Sequence, residues 1–102
     1  MDYEFREGKL FVSRSPEERD PLLKRLRRIE GQVRGLIQML EADRYCLDEI
    51  QQANAVTAAM REVALLILTS HLDAGVDFAV KSGKTEDVIK EVTTVLRAAL
   101  KL

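Results

Sequence analysis

The chain of 102 residues contains one cysteine and one histidine, Cys46 and His71. A thiolate and an imidazole form a soft to borderline donor pair suited to Cu(I), Zn(II) or Ni(II). The same pair is a nucleophile beside a base, able to attack a small electrophile. The two residues are 25 positions apart. On one continuous helix this is about 6.9 turns, so they share a face yet stand roughly 37 Å apart. They do not meet within one chain. In an antiparallel two-fold pair of this helix, Cys46 of one copy comes level with His71 of the other, twice per dimer. The crossing point then falls between Ala58 and Ala59. Small residues permit close helix approach, and Ala53, Ala55, Ala58 and Ala59 make this the smallest stretch of the segment. The bland alternative is a small buried thiol and a satisfied surface imidazole.

A second group of residues is basic. Lys24, Arg25, Arg27, Arg28 and Arg34 follow one another with only Glu30 among them. At 100° per residue, Lys24, Arg27, Arg28 and Arg34 fall away from the stripe made by Leu22, Leu26, Ile29 and Val33, and Arg25 flanks it. Arg61 adds one more charge further along. A guanidinium donates two hydrogen bonds at once to phosphate oxygens, and clustered basic residues bind a DNA backbone by releasing counterions. The alternative is a solvated face, although such faces usually interleave acids. The net charge of −1 gives no global attraction to nucleic acid; the case rests on local charge.

These residues need helices to position them. Ser15-Pro16-Glu17-Glu18 reads as an N-cap, a proline at the first helical position and acids in the first turn. Leu22, Leu26, Ile29, Val33, Leu36 and Leu40 then recur at steps of four and three, predicting helix one over about 16–42. Asp43-Arg44 is a break. From Tyr45 to Val80 the chain has no proline, and its first glycine is Gly75. Val63 to Leu68 is apolar on every side, so that helix must be buried all round. Two further helices of one protomer cannot do that, which points to a core between subunits. Ser82 to Thr85 is a turn, and Thr85 reads as the N-cap of a third helix carrying Val88, Val92, Val95, Leu96 and Ala99. Residues 1–14 show no helical period and are expected to be a mobile arm; residues 15–102 form the helical domain.

Composition bounds the rest. A length of 102 residues is one small domain with a thin core. Aromatic residues at 5%, no Trp and two Pro argue against a β-sandwich or barrel. A single cysteine excludes an internal disulfide and fits a reducing compartment. Uncharged runs such as Val63 to Leu72 fall far short of the ~20 residues that span a bilayer, and Asp2, Glu4, Arg6, Glu7 and Lys9 leave no apolar signal core. The expectation is a soluble cytoplasmic protein with no membrane partner.

The block Lys24-Arg25-Leu26-Arg27-Arg28-Ile29-Glu30-Gly31-Gln32-Val33-Arg34-Gly35, followed by Tyr45-Cys46, Gln51-Gln52, Ala55-Val56 and His71-Leu72, resembles the CsoR/RcnR/FrmR family of bacterial repressors from about Pro21 to Leu100. The resemblance implies an all-α fold, with three-helix protomers in antiparallel dimers that assemble into dimer-of-dimers tetramers. It implies operator DNA as partner, gripped through shape and phosphate contacts and released when an effector binds. Family sensing sites take a Cys at the start of helix two and, from the partner chain, a His and a third ligand four residues later. Carried over, these positions are Cys46, His71 and Gly75, and Gly75 offers no side chain. A nickel-type N-terminal His and the second Cys of persulfide sensors are also missing. Tyr45 and Glu91 match the Tyr and Glu that surround the His in copper-type members; a carboxylate on the far nitrogen of a ligating His fixes its orientation.

The sequence therefore predicts an effector-responsive transcriptional repressor, not an enzyme. Lys24, Arg25, Arg27, Arg28, Arg34 and Arg61 are its DNA-contacting residues. Its first expected inducer is a small electrophile such as formaldehyde reacting at Cys46, because formaldehyde-sensing members dispense with Cys at the third position. The alternative is a metal, Cu(I), Ni/Co or Zn, held by an incomplete Cys46/His71 set as the effector. A helical oligomer that binds a protein and no DNA is the reading from another class.

Overall fold

The computed structural model describes residues 2–101; Met1, part of the expected arm, and Leu102 lie outside the described residues. Two strands, β1 (Asp2–Arg6) and β2 (Lys9–Ser13), precede three helices, α1 (Pro16–Glu41), α2 (Cys46–Ser82) and α3 (Thr85–Leu100). The three helices match the expected all-α protomer.

The start of α1 is locally determined. The Ser15 hydroxyl accepts from the Glu18 N–H, while the Glu18 side chain accepts from the Ser15 N–H at 3.2 Å. This reciprocal capping box satisfies two amide donors that the helix leaves over. The Ser15 contacts hold the Glu18 carboxyl below its ordinary value. The turn after α1 places Asp43 at φ 51°, and α2 begins directly after Tyr45. At the other end of α2, Gly83 takes φ 73° and donates its N–H to the Ala79 carbonyl. A residue with a Cβ rarely adopts that conformation, so glycine ends the helix there. Lys84, rather than the expected Thr85, is the N-cap of α3, and Thr85 is its first helical residue.

The segment expected to be a mobile arm forms instead an antiparallel hairpin, with Tyr3 opposite Val12 and Phe5 opposite Leu10. Glu7 and Gly8 both take positive φ, 52° and 72°, as the type I′ form of a two-residue hairpin turn requires. Strand alternation turns Tyr3, Phe5, Leu10 and Val12 inward. Phe5 stacks on Phe78 of α2 with ring centroids 4.9 Å apart, and Tyr3 meets the same ring edge-on. The Tyr3 hydroxyl donates to the Asp77 carboxylate, and Arg14 donates to the Ser70 hydroxyl at 2.8 Å. A lone hairpin is marginal in water; this one is stabilised by the helices beneath it.

The core is thin. Among the described residues the buried apolar ones are Leu10, Ile29, Val63, Ala74 and Val88. Leu47, Ile50, Leu65 and Val76 on α2 are each half or more exposed, and at 100° per residue they lie within one quarter of its circumference. By length and composition α2 is apolar enough to cross a membrane, although it carries Arg61, Glu62, Asp73 and Asp77 along its length.

Candidate functional site

The exposed thiol of Cys46 sits on the first residue of α2. Tyr45, the N-cap beside it, makes no side-chain capping bond and is 70% exposed. His71 lies in the second half of the same helix. The protomer thus keeps Cys46 and Tyr45 apart from His71, as the spacing requires, and among the described residues no group of three or more His, Cys, Asp or Glu side chains could hold a metal within one chain.

Around His71 the chain builds a defined environment. Glu91 projects from α3 and is the buried charged residue among those described, 8% exposed. His71 Nε2 donates to Glu91 Oε1 at 2.6 Å. The other carboxylate oxygen, Oε2, accepts the backbone N–H of Leu10 at 2.8 Å. A buried carboxylate must have its oxygens satisfied, and here one is held by a helix and one by the hairpin. With Nε2 occupied, Nδ1 is the nitrogen with a lone pair to give. The sequence placed Glu91 near the His only through resemblance; the structure brings the two into contact.

Gly75, one turn beyond His71, is buried. A Cβ built on it would stand 3.0 Å from Val92 Cγ2, 3.5 Å from Val88 Cγ1 and 3.9 Å from Leu10 Cδ2. The space that a third donor would enter is filled by α3 and the hairpin. Beside it, Leu72, Val76, Val80, Val88, Ile89 and Val92 line an open apolar trough between α2 and α3.

The basic residues form an exposed array. Lys24, Arg25, Arg27, Arg28 and Arg34 are exposed along α1, and Arg61 is exposed on α2. Arg34 lies 4.0 Å from Glu30, one turn away; an exposed pair at this distance holds a side chain only weakly. Sequence reasoning missed the Leu10 amide and the packing at Gly75. Neither is visible in residue type, although Tyr3/Phe5 and Leu10/Val12 on either side of Gly8 carry a short period-two signal.

Comparison with known proteins bears on both surfaces. A family model described as "Metal-sensitive transcriptional repressor" matches residues 18–98. The copper-sensing transcriptional repressor CsoR of Bacillus subtilis is 46% identical over 91 residues, covering 89% of this chain and 90% of that protein. The copper-sensing transcriptional repressor RicR of Mycobacterium tuberculosis is 51% identical over 67 residues, covering 66% of this chain and 70% of RicR. Among solved structures, the nickel-responsive transcriptional regulator InrS superposes with a TM-score of 0.78 at 33% identity, covering 86% of this chain and 99% of InrS. The copper-sensing repressor CsoR with Cu(I) from Geobacillus thermodenitrificans gives a TM-score of 0.77 at 39% identity, covering 86% and 92%.

Proposed function

Because the chain belongs to the metal-sensitive transcriptional repressor family, a family of repressors and not of enzymes, we propose that it is a repressor released from operator DNA by a soft metal ion, Cu(I). The observation that carries this reading is His71, fixed through Nε2 by a buried carboxylate with Nδ1 left to donate. Relatives that are copper-sensing or nickel-responsive favour the metal alternative and displace the expectation of formaldehyde as inducer.

The donor set decides among metals. Zn(II) in a closed site takes four ligands in a tetrahedron. Cys46 and His71 offer two, and the place of a third is packed with Val88, Val92 and Leu10. A thiolate and an imidazole suit Cu(I), a soft ion that accepts low coordination. In an antiparallel dimer Cys46 and Tyr45 of one protomer come level with His71 and Glu91 of the other. The exposed apolar quarter of α2 and the open trough beside α3 are the surfaces such a dimer would cover, and the alanines from Ala53 to Ala59 allow the helices to cross closely. A dimer of such dimers extends the same logic. Cu(I) bound there supplies a cross-link between protomers that exists only in one arrangement of the pair.

Lys24, Arg25, Arg27, Arg28, Arg34 and Arg61 are the residues proposed to contact DNA phosphates. Work on operator DNA implies a cytoplasmic protein. The test is Cys46→Ala in a gel-shift titration with Cu(I). Operator affinity without metal stays near that of the wild type, and Cu(I) no longer releases the DNA. Release at the wild-type Cu(I) concentration would remove Cys46 from the mechanism, and with it this reading.

A further inference from the structure

We infer that the N-terminal hairpin is a working part of the sensor, with the Leu10 amide acting as a positioning group for His71 through Glu91. The inference rests on the reading of His71 as an effector ligand. The hairpin lies outside residues 18–98, the part matched by the family model.

Three observations converge on it. Leu10 is buried, 6% exposed, although it belongs to a two-stranded hairpin at the chain terminus. Its N–H leaves the strand ladder and ends on Glu91 Oε2 at 2.8 Å, while Oε1 of the same carboxylate holds His71 Nε2 at 2.6 Å. Its side chain closes over Gly75, 3.9 Å from where a Cβ would stand. One residue therefore orients the carboxylate that orients the imidazole, and also fills the position four residues beyond that imidazole. Without the Leu10 donor, one oxygen of a buried carboxylate loses its partner. The carboxylate must then turn, and a turn changes its hold on His71. The anchors at Tyr3–Asp77, Phe5–Phe78 and Arg14–Ser70 keep the hairpin seated so that this donor stays in place.

The test compares Leu10→Pro with Leu10→Ala in the full-length protein. The Leu10 N–H points away from β1, so proline removes the donor to Glu91 without removing a strand-pair bond, a tolerated edge position. Alanine keeps the donor and removes the side chain. Two quantities are read: the ring ¹⁵N signals of His71 without metal, and Cu(I) affinity by competition with a chromophoric Cu(I) chelator. Leu10→Pro is expected to shift the Nε2 signal and to weaken Cu(I) binding about tenfold, the low end of the loss for partners of a ligating His. Leu10→Ala leaves the Nε2 signal in place. Deleting residues 2–13 gives the proline result if the inference holds, with helicity by circular dichroism showing that the three helices persist. If both hairpin variants match the wild type while Glu91→Ala shifts the ring signal and weakens Cu(I) binding, the hairpin inference is overturned and the site reading stands. If Cys46→Ala and Glu91→Ala also bind Cu(I) like the wild type, the site reading falls and the hairpin inference falls with it.

Discussion

Replacing Gly75 by alanine tests whether that position is a spacer between α2, α3 and the hairpin. The added Cβ would stand 3.0 Å from Val92 Cγ2 and 3.5 Å from Val88 Cγ1, against an optimum near 3.5–4.0 Å for two carbons. Both valines have stiff χ1 torsions, so relief needs a shift of α3 itself. Overpacking of this kind costs about 1–3 kcal/mol. Alanine also favours a helix interior over glycine by about 1 kcal/mol, which opposes the strain. The expected net is a loss of ~0–2 kcal/mol, and each kcal/mol lowers Tm by roughly 4–8 °C in a domain of this size. Gly31→Ala is the control. A Cβ there meets only the Arg34 guanidinium, at 3.8 Å, the mobile end of a long side chain. It should gain most of the ~1 kcal/mol that propensity offers. The assay is thermal unfolding by circular dichroism at one protein concentration, since association makes Tm depend on concentration. A Gly75→Ala protein that melts as high as Gly31→Ala would refute the packing at Gly75. It would also reopen the space for a third donor, and with it the argument for two-coordinate Cu(I).

Further outcomes are expected. Arg28→Ala should weaken operator binding across all sequences and lower the slope of log affinity against log salt by roughly 0.9 for each phosphate that Arg28 neutralises; an unaltered slope places Arg28 away from the DNA backbone. The Tyr3–Asp77 bond should give the hairpin's docking a defined pH window. Tyr3, and after it Lys81, donate to Asp77 and hold its carboxyl below the ordinary aspartate value, while donation to Asp77 raises the Tyr3 phenol above its own. The depressed carboxyl contributes stability that is present above its unfolded pKa and lost as pH falls through the folded one. The raised phenol contributes stability that is present below its unfolded pKa and lost as pH rises through the folded one. In an absorbance titration of tyrosinate, the component that Tyr3→Phe removes should lie above pH 10; a midpoint at or below that value would sink the assignment.

The helices were legible because each is written by local rules. Ser15, Pro16 and Glu18 spell a capped start, and the α1 stripe repeats for five turns. The hairpin was not legible for two physical reasons. Its turn places Glu7 at positive φ, where asparagine or glycine would be the usual signal. Its strands, five residues each, also depend on Phe78, Asp77, Ser70 and Glu91, all more than 50 residues away in sequence, and no local pattern contains them. The site was half legible. Cys46 and His71 stood out as the single members of their types, and their spacing correctly kept them apart within one chain. Gly75 could be read only as a missing donor, because a sequence does not show that Val88, Val92 and Leu10 occupy its space.

The incompleteness of the protomer and the incompleteness of the site have one origin. Leu47, Ile50, Leu65 and Val76 are uncovered on the same helix that carries Cys46 at one end and His71 towards the other. Burying those side chains is the main gain available from association, since apolar area removed from water is worth about 25 cal/mol per Å². On the proposed antiparallel pairing, the contact that buries them also brings the thiol to the imidazole, so the sensor cannot form without the interface. Effector affinity and protomer association are then thermodynamically linked: the factor by which association strengthens effector binding is the factor by which the effector strengthens association. The hairpin acts at the one part of this arrangement that a single chain completes alone, the carboxylate behind His71. That leaves the imidazole oriented before a partner arrives, and the ordering cost is met in folding rather than in binding.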